Sequence, residues 1–183
     1  MISSVIESGY PLSRSLFVVA TVIAVVFGGW LAAHGRHGRW AAAGLSAAGI
    51  GVVLALTLSP VGSGGTLASR CNLEPYNYVS DTPNVVLFLL PAIFLVVATR
   101  SPALVLVLGP LGSASIEIAQ YAMTGLGRRC DVDDLLANSA GTAIGVLLGA
   151  AVLGVAHLLR RRPVVEEDSR PVGTEVRMPE YRG

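Results

Sequence analysis

Residues 111–145 read LGSASIEIAQYAMTGLGRRCDVDDLLANSAGTAIG. The stretch begins inside one apolar run, 101–121, and ends inside another, 135–159. Between and within them lie Glu117, Gln120, Arg128, Asp131, Asp134 and Asn138. Runs of about 20 mostly apolar residues cross a bilayer as helices. Ionisable groups at such depth are costly unless partnered, so a cluster of them marks a candidate site by default. One segment therefore gives both the fold, membrane-spanning helices, and the place to look for function.

The rest of the chain agrees. Of 183 residues, 52% are hydrophobic and 14% charged, with a mean hydropathy of +0.64; soluble domains carry roughly a quarter charged residues. Three further runs are long enough to span: 15–33 and 82–99 carry no charge, and 40–58 is the apolar part of the uncharged stretch 40–69. The expected fold class is an all-α, polytopic integral membrane protein of about five helices, occupying residues 1–159. The first run is longer than the apolar core of a secretory signal and lacks a small-x-small cleavage site, so it reads as a retained helix. The link 100–102 is very short and Pro102 suits a first helical turn, which predicts a tight antiparallel hairpin of helices three and four. Residues 160–183 hold 11 of the 25 charges and almost no large apolar side chain. They read as a disordered cytoplasmic tail, unable to offset its ordering entropy by burial. The net charge of +1 gives no reason to expect a nucleic-acid partner; membrane lipids are the expected surroundings, and the oligomeric state is not legible.

Five spans place the termini on opposite sides. Arg36, Arg39, Arg100 and Arg160–Arg162 then flank one face, and Arg14, Arg70, Arg128 and Arg129 the other, six against four. The excess predicts a multi-pass protein of the bacterial plasma membrane with its N-terminus outside and its C-terminus cytoplasmic. Cys71 and Cys130 are the only cysteines. Both fall in outer connections under this orientation, where an oxidising exterior permits a disulfide, so a Cys71–Cys130 bridge that clamps helices two and three to helices four and five is expected; their spacing does not suit metal ligation. His34 and His37 read as solvated groups of a basic inner loop. No Walker loop, His-Glu-x-x-His, Gly-x-Ser-x-Gly or haem-attachment motif is present, so neither metal nor cofactor is expected.

Within the cluster, Glu117 and Gln120 are three apart and share a face of helix four, as Asp134 and Asn138, four apart, share one of helix five. Gly141, Gly145 and Gly149 continue the latter face as a ridge of small residues open to close helix approach. Arg128, behind a glycine-rich lead-in, is in reach of either carboxylate, and a lone buried Glu117 is expected to take Arg128 or a proton as its partner. The plainer readings are that Asp133 or Asp134 caps helix five, that Asn138 bonds between helices, and that Tyr76 and Tyr78 anchor the interface. The preceding outer connection adds Asn72 and Glu74, and Asn84 opens helix three on the same side.

Three pieces of this sequence resemble the VanZ-like family of small bacterial membrane proteins. They are Asn72-Leu73-Glu74-Pro75-Tyr76; Asn84 heading an apolar helix with Leu87-Phe88 and Pro91; and Ile116-Glu117-x2-Gln120 followed by Gly127-Arg128-x2-Asp131-x2-Asp134-x3-Asn138-x2-Gly141-x3-Gly145. The resemblance covers about 71–153, with Cys130 and Arg129 as departures from the pattern. It implies a protein of the cell envelope connected with low-level resistance to the lipoglycopeptide teicoplanin, and it implies no mechanism. Three functions compete. The first is an outer-leaflet site that binds a lipid-linked or lipidated envelope ligand. The second is a membrane enzyme on a lipid or cell-wall intermediate, with Glu117 and Asp131 as acid and base and Arg128 holding an anion. The third is an assembly partner docking on the glycine ridge.

Overall fold

Between Asn84 and Thr99 the chain carries no polar side chain, and a helix that is apolar on every side belongs in the middle of a bundle. In the computed structural model that helix is the hub. The structure describes residues 3–60, 71–72, 82–123, 128 and 130–160. Its helices are α1 (Ser3–Ala33), α2 (Gly35–Leu58), α3 (Thr82–Thr99), α4 (Pro102–Ala122) and α5 (Val132–Arg160). Helix α3 packs chiefly on α5 and α2, and Ile93, Val96 and Val97 are wholly buried. Among the described residues four helices are long and apolar enough to cross a bilayer, and α3 is the shortest of the five. The architecture is the all-α, multi-pass membrane bundle that the composition requires. One addition to it among the described residues is a parallel pairing of two-residue strands, β1 (Cys71–Asn72) with β2 (Cys130–Asp131).

Close approach at α3 depends on small residues of its neighbours. A Cβ added at Gly145 would stand 2.5 Å from the Leu89 carbonyl oxygen and 2.8 Å from Ala92 Cβ, and one at Gly149 would stand 2.8 Å from Val96 Cβ. At Gly141 the obstacle is the backbone carbonyl of Val85. The ridge read from the sequence is therefore filled by α3 of the same chain, and docking of an outside partner on it is excluded by occupancy. On the opposite side of α3, Gly49 of α2 faces the Pro91 ring, where an added Cβ would come within 2.9 Å of Cγ. Beside it, Ser46 Oγ donates to the Pro91 carbonyl at 3.1 Å.

Several expectations need correction. The link Arg100–Ser101 is short, but α3 and α4 do not form a closely packed pair: α4 packs mainly on α5. The cause is α4 itself, whose Gly109 sits against Thr142 of α5, so that α4 leans toward α5 and parts from α3. The segment 34–39 is no loop. His34 alone separates α1 from α2, with its Nδ1 2.7 Å from the Trp30 carbonyl oxygen, and Gly35 supplies the left-handed turn at φ 60°. Arg160, grouped with the tail by its charge, is the last residue of α5. Residues 161–183 lie outside the described residues.

Arginines at this end of the bundle serve helix ends. Arg160 Nη2 donates to the carbonyls of Ala32 (2.7 Å) and Ala33 (2.8 Å) at the C-terminus of α1, and Arg39 Nε to Ala98 (3.0 Å) at that of α3. The last carbonyls of a helix have no partner within it and carry the negative end of its dipole, so a cation there is favourable twice over.

Overpacking the α3–α5 seam should unfold the bundle. Gly145→Leu is expected to cost about 3 kcal/mol or more, since backbone stands in the way. Gly154→Leu, where a new Cβ meets nothing within 4 Å, should stay within about 0.5 kcal/mol of the parent. Unfolding in detergent measures both; equal stability of the two variants would contradict the seam.

Candidate functional site

The ends of α2 and α4 and the starts of α3 and α5 meet at one end of the bundle, here called the polar end. What brings α4 and α5 together there is a chain of hydrogen bonds around Asp131. Its backbone N–H donates to Glu117 Oε2 at 2.7 Å, which fastens β2 to α4. Its side-chain Oδ1 accepts from the Asp133 N–H at 3.0 Å. That is the bond of an N-cap, in which an acceptor side chain satisfies one of the orphan donors of the first helical turn. Both Asp131 oxygens also accept from Asn72 Nδ2 at 3.3 Å, across the register that sets Asn72 opposite Asp131.

The cap of α5 is thus Asp131, where the sequence suggested Asp133 or Asp134. Helix α5 starts at Val132, so both of those acids stand inside its first turn. Asp134 instead accepts from Asn84 Nδ2, tying the start of α5 to the start of α3. One step behind this link, the Cys71–Cys130 disulfide joins the two strands, with Cα atoms 4.5 Å apart. It closes a separation of 59 residues.

Gln120 and Arg128 face the end of α2. Gln120 Nε2 donates to the Thr57 carbonyl at 2.9 Å; Arg128 donates through Nη2 to Leu56 (2.9 Å) and through Nε to Ser59 (3.0 Å). Together they satisfy the carbonyls of Leu56, Thr57 and Ser59 where α2 ends, groups that find no partner within the helix. Arg128 therefore does not pair with Glu117. Its acceptors are the terminal carbonyls of a helix that lies 69 and 72 residues earlier in the chain, whose dipole attracts a cation as a carboxylate would. Arg128 forms no ion pair among the described residues, and its Nη1 donates to none of them.

Deeper in, Asn138 Nδ2 donates to Ser113 Oγ at 2.9 Å, and Thr142 Oγ1 donates to the Asn138 carbonyl at 3.0 Å. Asn138 is 2% exposed, Gln120 3% and Glu117 9%, so these are interior groups. Asn138 Oδ1 is buried with no hydrogen-bond partner among the described residues. Ser113 and Thr142 do not stand out in the sequence, although the signal is present: Ser113 lies four before Glu117, and Thr142 four after Asn138, each extending a polar face inward by one turn. Of the expected site residues, Glu117, Asp131 and Asn72 form one group, Asp134 and Asn84 a second, and Gln120 and Arg128 a third at the end of α2. Glu74, Tyr76, Tyr78, Arg129 and the glycine lead-in 125–127 lie outside the described residues. Among the described residues no group of acids, histidines or cysteines is arranged to hold a metal ion.

Bundle and site define a class: a multi-pass membrane protein whose polar residues, drawn from three helices and two connections, converge with the end of α2 at one end. A family model described as VanZ/LLP1 matches residues 17–153, and the chain belongs to that family. The match starts within α1, so it includes the first two helices as well as the segment that carries the motif residues. No curated protein and no solved structure matches the chain. The protein is a VanZ-like, multi-pass membrane protein of the cell envelope.

The disulfide makes a direct expectation. Purified without reductant, the protein should expose no thiol to alkylation, and after reduction it should take up two equivalents. Breaking it, in Cys71→Ser/Cys130→Ser, should lower stability by about 2–4 kcal/mol. Prompt alkylation of either cysteine in the unreduced protein would contradict the pairing.

Proposed function

We propose that this VanZ-like protein binds an amphipathic envelope ligand at its polar end, in the outer leaflet, and that the ligand class includes lipidated glycopeptides such as teicoplanin. The supporting observation is Arg128. It is half-buried, anchored by two of its nitrogens to the end of α2, and its Nη1 donates to no described residue. An arginine held this way is pre-positioned, so less side-chain freedom is lost when an acceptor group arrives. The family resemblance supplies the ligand class.

Two independent observations support an orientation. The arginine excess favours a cytoplasmic position for the end that holds Arg36, Arg39, Arg100 and Arg160. The disulfide lies at the opposite, polar end, and disulfides persist in oxidising surroundings outside the cytosol. In this reading the N-terminus is outside and the tail cytoplasmic.

Catalysis by Glu117 and Asp131 is the weaker reading, because both carboxylates are already engaged: Glu117 by the Asp131 N–H, Asp131 by the Asp133 N–H and Asn72. A general acid or base needs its proton site within reach of substrate.

Two experiments test the proposal. Reporter fusions should place position 75 outside the cell and the chain after Arg162 inside; a cytoplasmic position 75 would overturn the leaflet. Arg128→Gln keeps amide donors for the α2 carbonyls and removes the charge. In cells that depend on this protein for teicoplanin tolerance, it should reduce tolerance to that of the empty strain at unchanged protein level. Full tolerance in the variant would remove Arg128 from the ligand site.

A further inference from the structure

The parting of α4 from α3 leaves a cleft of about 440 Å³ walled by α2, α3 and α4. Its floor is buried: Val105 and Thr142 are each 1% exposed. Its rim, at Ile50, Leu54 and Leu108, is exposed on the lipid-facing surface. It runs along α4 from Val105 to Ala119, about 21 Å at 1.5 Å per residue, which exceeds the thickness of about 15 Å of one leaflet's hydrocarbon. Its upper end meets the polar end, since Leu58 and Ala119 adjoin Ser59 and Gln120.

We infer that this cleft seats one acyl chain of a membrane phospholipid. Because the cleft opens on the lipid-facing surface, what fills it in a membrane comes from the bilayer, from water or from a partner helix. Water is a poor occupant. Ser115 and Thr142 line the cleft, but their hydroxyls donate to their own helices, to Leu111 (2.8 Å) and Asn138 (3.0 Å), whereas a buried water needs two or more polar partners. A partner helix is too large: a cylinder about 10 Å across and about 21 Å long occupies roughly 1,600 Å³, several times the volume of the cleft. A single string of methylenes, lying along the membrane normal with its head toward the polar end, satisfies length, width and polarity together. The inference goes beyond the proposed function, which concerns the polar end alone.

Gly112 offers the test. It lines the cleft, and a Cβ there meets nothing within 4 Å, so a large side chain enters the space without striking packed backbone. The full chain is reconstituted in vesicles of phosphatidylglycerol bearing a photoactivatable diazirine on one acyl chain, and adducts are mapped by mass spectrometry. In the parent, adducts should concentrate on residues 50–58, 88–95 and 105–119, above the level on the lipid face of α1. Gly112→Phe should reduce the cleft adducts about tenfold, the loss expected when roughly two methylenes of buried contact are displaced. Gly44→Phe, a position also open within 4 Å but outside the cleft, should leave them unchanged. Even labelling of all lipid-facing helices in the parent, or cleft adducts that persist in Gly112→Phe, would overturn the assignment. The Arg128→Gln tolerance assay reads the polar end separately, so either idea can fail without the other.

Discussion

Helix ends are the most demanding feature of a membrane bundle, because the last carbonyls of each helix have no partner in their own helix and little water to turn to. This protein answers that demand with side chains from elsewhere in the chain, and its arrangement depends on the answer. Arg160 closes α1, Arg39 reaches the end of α3, and Arg128 with Gln120 closes α2. Each bond joins elements distant in sequence, with separations from 59 to 128 residues. A contact that satisfies one helix therefore fixes the position of another. Arg39 and Arg160 are exposed, so each bond of this kind is worth roughly 0.5–1.5 kcal/mol net, and it is the set together that makes a substantial share of a domain's stability.

The same constraint explains why the polar end looks like a site. Glu117, Asp131, Asn72, Asn84 and Asp134 meet there because the first turn of α5 and the two short strands also need partners. Each of them is bonded to another of the group: Asn72 to Asp131, Asn84 to Asp134, and Glu117 to the Asp131 N–H. Arg128 differs: it helps to close α2, and its Nη1 donates to no described residue. Structure and binding are thus divided among neighbouring residues, the buried ones holding the frame and Arg128 carrying the proposed contact with a ligand. Gly109 and Gly145 set the frame's shape. One draws α4 onto Thr142 and the other draws α5 onto α3, and the unequal approach opens the lateral cleft.

Much of this is legible in the sequence. Apolar runs separated by short polar connections give the helices and their order, and the spacing of Glu117 with Gln120 and of Asp134 with Asn138 gives the faces that meet. What cannot be read are the partners. Arg128 beside acidic residues suggests an ion pair, but its true acceptors are backbone carbonyls, which every residue possesses and no sequence distinguishes. The cap of α5 moves from Asp133 or Asp134 to Asp131 because the choice depends on where the helix begins, and an apolar pattern locates that only to within a few residues. A two-residue link suggests an α3–α4 hairpin; link length fixes neighbours in sequence, while Gly109 against Thr142 decides which surfaces touch.

The central claim is that the polar end divides into a structural part and a binding part. It is tested most directly by titrating teicoplanin calorimetrically into the reconstituted protein for Arg128→Gln and Asn138→Ala, with the unfolding free energy of each measured in parallel. Asn138→Ala, which removes the bond to Ser113, is expected to lose about 1–3 kcal/mol of stability while the protein that remains folded binds with the parent's affinity. Arg128→Gln is expected to keep its stability within about 1 kcal/mol and to lose binding. Affinity that falls in step with stability in both variants would contradict the division and make the whole cluster a device of the fold.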